Sequence, residues 1–140
     1  MVDKTVERFN KIEECYEFML AYAAQGLPGE ENNRAGSQIR EFLADAVEAL
    51  TRLSNDCLAM VEQKKLEPFS AYEAFIEVLD RDARASLAAI ELVLAQPSIS
   101  SQIVDNLNAS IHLRALLTDL FLLGDIFKSE RAKERLAATN

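Results

Sequence analysis

Three groups of residues have the types and spacing to do chemistry. His112 is the only histidine of the 140-residue chain. On a helical wheel it shares a polar face with Asp105, Asn108 and Asp119, where an exposed imidazole could accept a phosphoryl group or a proton. Two carboxylate runs form the second group, Glu13-Glu14-Cys15-Tyr16-Glu17 and Glu77-Val78-Leu79-Asp80. Clustered carboxylate oxygens suit a hard cation such as Mg²⁺, whose remaining positions phosphates can fill. The third group is Asp82, Ser86, Asn106, Ser110 and Arg114, which fall at or beside the apolar seams of two successive helices. If those helices run antiparallel about Pro97, Asp82 faces Arg114 and Ser86 faces Ser110. The result is a polar waist, or a small pocket of the kind that helix bundles use for ligands.

Two of these groups resemble known motifs. The run His112-Leu113-Arg114-Ala115-Leu116 resembles the H-x-L-K-G signature of histidine phosphotransfer domains, which are acidic four-helix bundles. It departs at two places: the basic residue comes one position early, and Leu116 stands where that family has glycine. The resemblance implies His112 as the phosphoacceptor. The carboxylate runs resemble the paired E-E-x-x-E and E-x-x-D motifs of all-α nucleoside-triphosphate pyrophosphohydrolases of the MazG-like class. That resemblance implies Mg²⁺ held by Glu13, Glu14, Glu17 and Asp80. The family carries its second motif on the next helix, whereas here the nearest pair on that helix, Glu41 and Asp45, is one residue too far apart. With 23 acidic residues in the chain, an ordinary solvated face produces the same spacings.

Other chemistries lack their parts. A ferritin-like dinuclear centre needs E-x-x-H from two helices, and Ala109 occupies the position three before the lone histidine. Cys15 and Cys57 have no metal-ligand spacing and sit in no catalytic motif. Both fall on apolar helix faces, where a free thiol behaves as a small hydrophobe. In an antiparallel hairpin Cys15 meets residue 46, too far from Cys57 for a disulfide. No cofactor is expected, and the cysteine usage points to a reducing compartment, the cytoplasm.

A net charge of −8 works against binding nucleic acid, whose phosphates must be neutralised by Lys and Arg, and against an anionic membrane surface. The opening Met1 to Arg8 has no apolar core and is not expected to be a signal peptide. The most apolar stretch, Ala115 to Phe127, is interrupted by Asp119 and Asp125 and falls short of the roughly 20 residues of a membrane span.

The elements that must position these residues are helices. The chain reads as one domain, residues 1–140, with helices over about 3–25, 35–65, 70–96 and 99–136. Gly26 and Pro28 stop the first. The 26–36 connector lacks the Gly-Lys-Ser/Thr pattern of a phosphate-binding loop. Ile39, Leu43, Ala46, Leu50, Leu53, Cys57 and Met60 give the second helix a heptad seam. Ser70 and Glu73 form a capping box for the third, and Ser98 or Ser100 caps the fourth. The expected fold is an all-α, antiparallel up-down-up-down four-helix bundle with a long fourth helix.

That helix is more apolar than one packing face requires. With Leu113, Leu117, Leu120 and Phe121 taken as its core arc, Leu116, Leu123 and Phe127 remain as a flanking stripe suited to a partner. The expected function is a non-enzymatic interaction module, an adaptor, small chaperone or regulatory subunit, working as a homodimer or with another protein.

Overall fold

The computed structural model describes residues 2–29 and 34–139. Among these residues the chain is all-helical and forms five helices: α1 (Val2–Ala24), α2 (Arg34–Lys64), α3 (Phe69–Leu94), α4 (Ser101–Ala109) and α5 (Ile111–Thr139). None of them is long and apolar enough to cross a membrane. Residues 30–33 of the expected connector lie outside the described residues.

The helices pack into one core. α1 lies against α2, α4 and α5, while α3 lies against α2, α4 and α5; the α1 and α3 backbones do not adjoin. α1 and α2 run antiparallel, as do α2 and α3. Arg8 of α1 pairs with Asp56 of α2 at 3.0 Å, and nearer the other end Phe18 stacks on Phe42 at 4.2 Å. Ser54 and Arg40 of α2 reach Asp80 and Leu94 of α3 in the same reversed order. The heptad seam expected for α2 is buried at all seven positions. On α1 the core arc is turned toward Cys15 and Tyr22, leaving Leu20 exposed.

Helix ends follow local chemistry. Gly26 takes a left-handed φ of +65°, as expected of a helix stop. α2 ends with Lys65 in the same region at φ 54°, its N–H bonded to the Glu62 carbonyl and that of Leu66 to the Val61 carbonyl. This is a Schellman closure with a side chain where glycine is usual. The Arg40 guanidinium donates to the Leu94 and Gln96 carbonyls (2.9 and 2.7 Å), placing a cation at the negative end of α3. The expected capping box at Ser70 and Glu73 does not form. Pro68, in extended geometry that its ring favours, starts the helix at Phe69, so Ser70 lies inside the first turn.

The long fourth helix is two helices. Ser100 caps α4, accepting from the Ile103 N–H at 3.1 Å. Ser110 then leaves helical geometry at ψ 142°. Its N–H closes α4 on the Leu107 carbonyl, and its hydroxyl accepts from the Leu113 N–H at 3.2 Å to open α5. One serine thus caps both helices, as a residue that competes with the helix backbone can do. The start of α4 is fastened to the end of α1. The Tyr22 hydroxyl donates to the Ile99 carbonyl at 2.6 Å, and the Ser101 hydroxyl donates to the Tyr22 carbonyl at 2.6 Å. The Leu27 N–H donates to the same Ser101 oxygen, while the Ser101 N–H donates to the Leu27 carbonyl.

Two changes test these end structures by chemical denaturation. Ser110→Ala should lower stability by about 1 kcal/mol through loss of the α5 cap. Lys65→Gly should raise it by about 0.5–1 kcal/mol, because glycine removes the left-handed strain.

Candidate functional site

The break at Ser110 decides which face of α5 is outside. In α4 the core residues are Val104 and Leu107. Continued at helical spacing, that stripe would bury Ile111, Thr118 and Leu122. After the break α5 instead buries Leu113, Leu116, Leu117, Leu120, Leu123 and Phe127. Leu116, Leu123 and Phe127, expected as a partner stripe, are 0%, 2% and 0% exposed within the single chain. Leu116 shares an apolar cleft with Ile12 and Met19 of α1 and Ile90 of α3, and Phe127 meets Phe9 with ring centroids 5.9 Å apart. The apolar surplus belongs to other residues: Ile111 is 76% exposed, Phe121 55% and Leu122 51%. Phe121, expected in the core, lies on the outer face.

The polar waist is rearranged as well. Ser86 is buried, and its hydroxyl donates to the His112 carbonyl at 2.9 Å. Ser110 is not its partner, being occupied as a cap. Asp82 faces Asp119 rather than Arg114. Asn106 and Arg114 are exposed, so the five residues do not converge on a pocket. The shift follows from Ser110, because a helix restarted there meets α3 in a different register.

Asp119 was expected on a polar surface beside His112, and it is buried instead. Its carboxyl comes within hydrogen-bonding reach of Asp82 across the α3–α5 seam. No donor reaches its buried Oδ2. Burial, the hydrogen bond with Asp82 and the Asp82 charge push Asp119 up from 3.8 to about 7. Two carboxyls so placed share one proton more readily than they both ionise. Asn108 is likewise buried, with neither amide atom hydrogen-bonded. Both residues break the apolar pattern of their faces, and the pattern in sequence identifies them as polar without showing which side of a broken helix they occupy.

The remaining candidates stay apart. Glu14 and Glu17 are exposed on α1, and Glu77 and Asp80 lie on α3, whose backbone does not adjoin that of α1. Asp80 accepts from the Ser54 hydroxyl at 2.7 Å and from Arg84 at 2.8 Å, and the Ser54 bond in particular holds its carboxyl below the usual range. It belongs to an open α2–α3 groove that includes Glu73 and Glu77. Among the described residues no group of three or more His, Cys, Asp or Glu could hold a metal ion. His112 is exposed in the first turn of α5, next to Ile111. Cys15 and Cys57 are free and buried, each pushed up to about 12 mainly by burial, which leaves the thiols unreactive. Cys15 donates to the Phe42 carbonyl, close to the position expected from the hairpin.

Compared with family models, curated protein sequences and solved structures, the chain matches none.

The carboxyl pair makes stability depend on pH. The folded state holds the Asp119 proton more tightly than the unfolded chain does. Its contribution is therefore full below pH 3.8 and is lost as pH rises through about 7. Asp119→Asn should stabilise the fold at pH 8 by about 1–3 kcal/mol by removing a buried, poorly satisfied charge. That gain should shrink at pH 5, as read from urea unfolding at both values.

Proposed function

We propose that the chain is a non-enzymatic helical interaction module, an adaptor, small chaperone or regulatory subunit that works through protein–protein contact. We read its architecture as an antiparallel up-down-up-down bundle whose fourth member, α4 followed by α5, is broken at Ser110. The free, buried thiols suit the reducing cytoplasm as its place of action.

The observation that carries this reading is the outer face of α5. Ile111, Phe121 and Leu122 keep more than half of their surface in water on one helix, with half-buried Ala115 between them. Single exposed hydrophobics are ordinary, but several on one face mark an interaction site. Covering apolar surface contributes about 25 cal/mol per Å², so a partner lying along this face gains from each of these side chains. The carboxylates, His112 and the thiols supply no comparable convergence of groups.

A photo-crosslinking residue placed at Phe121 tests the reading, with the same residue at exposed Glu41 of α2 as control. A protein adduct, to itself or to another chain, should form in cells from position 121 and not from position 41. Ile111→Glu combined with Leu122→Glu should abolish that adduct while leaving the helical circular dichroism signal within about 10% of wild type, since both sites are exposed. Equal labelling at the two probe positions would sink the proposal, as would loss of fold in the double variant.

A further inference from the structure

Resting on that reading of the α5 face, we propose that its occupant is a second copy of this chain, packed antiparallel so that α5 lies along α5 about a two-fold axis. Six exposed residues carry the inference: Ile111, Arg114, Thr118, Phe121, Asp125 and Lys128. Their steps are 3, 4, 3, 4 and 3, the spacing by which two helices interlock along a seam. That series reads the same in both directions. It therefore matches itself when reversed, which is what an isologous two-fold contact requires.

The chemistry along the series is complementary in the reversed order. With the axis between residues 119 and 120, Phe121 covers Thr118 of the partner subunit, a small residue that admits the ring. Arg114 meets Asp125 of the partner subunit, and symmetry repeats that pair. Ile111 lies under the stem of Lys128 of the partner subunit, which can keep its ammonium in water. Leu122 flanks the centre. Within one chain neither Arg114 nor Asp125 forms an ion pair among the described residues. A parallel pairing would instead set Arg114 on Arg114 and Asp125 on Asp125. Two copies at −8 each repel overall, so a contact between them needs local attraction of this kind. The paired segment spans 18 residues, about 27 Å of helix at 1.5 Å per residue.

The solution mass of the full chain, measured by sedimentation, tests this. Wild type should run at twice the 15.6 kDa of one chain. Arg114→Asp alone and Asp125→Arg alone should each weaken the dimer at least about tenfold, because each sets like charges against each other twice. Mixing the two single variants should restore a one-to-one heterodimer, since every facing pair is again opposite in sign. Phe121→Glu should give a folded monomer. A dimer indifferent to both charge changes would overturn the proposed pairing. A monomeric wild type at about 100 µM, far above the dissociation constant of a stable homodimer, would overturn the second copy. In that case a position-121 adduct to a different protein preserves the interaction reading, and its absence removes both.

Discussion

The arrangement depends on the capping hydroxyl of Ser110. A continuous helix from Ser101 to Thr139 would have to keep one face toward the core along its whole length, and the apolar residues of α4 and α5 do not share a face. Leaving helical geometry for one residue lets the chain turn Val104 and Leu107 inward before the break and Leu116, Leu123 and Phe127 inward after it. The break costs little in unpaired backbone, because the same serine satisfies groups of both helices. Its consequence is large, since it puts Ile111, Phe121 and Leu122 in water.

Around that break the ends of the helices are tied to each other. Tyr22, Leu27, Ile99 and Ser101 form a buried polar knot between α1 and α4, with each donor matched to an acceptor. Arg40 performs a similar service between α2 and the end of α3. These ties mark where α4 begins, and Ser110 marks where it ends, so polar contacts define the rotation in which the leucines of α5 pack. The Asp82–Asp119 contact is the exception, a seam position where two like groups meet and a proton takes the place of a partner.

Much of the fold was legible in the sequence. The heptad seam of α2 was readable at every position because that helix is unbroken and packs on one arc. The Gly26 stop and the Ser100 cap were readable because each rests on local chemistry. The hairpin geometry that kept Cys15 from Cys57 followed from counting residues along two antiparallel helices. Ser110 was read instead as part of a seam, since a serine among helix-forming neighbours fits a surface position as well as a cap. Asp119 was misplaced for that reason, grouped with Asp105 and Asn108 on a wheel drawn through the break; Phe121 and Leu116 exchanged places because α5 is apolar around most of its circumference, which leaves the core arc open to two choices. Ser70 failed for a related reason, because Pro68 two residues earlier offered the chain a start with fixed geometry.

The carboxyl pair also changes how the chain's charge should be counted. Composition assigns one negative charge to every aspartate and arrives at −8. With the Asp119 carboxyl pushed up to about 7, the folded chain carries one fewer negative charge over much of the acidic range than the same chain unfolded. Folding is then accompanied by uptake of a proton from solvent. Near pH 4.7, where the composition balances, an ordinary aspartate is mostly ionised and this one is not. Taken by itself this carboxyl raises the isoelectric point of the folded chain above that of the unfolded one, while Asp80, held below the usual range by Ser54, pulls the other way.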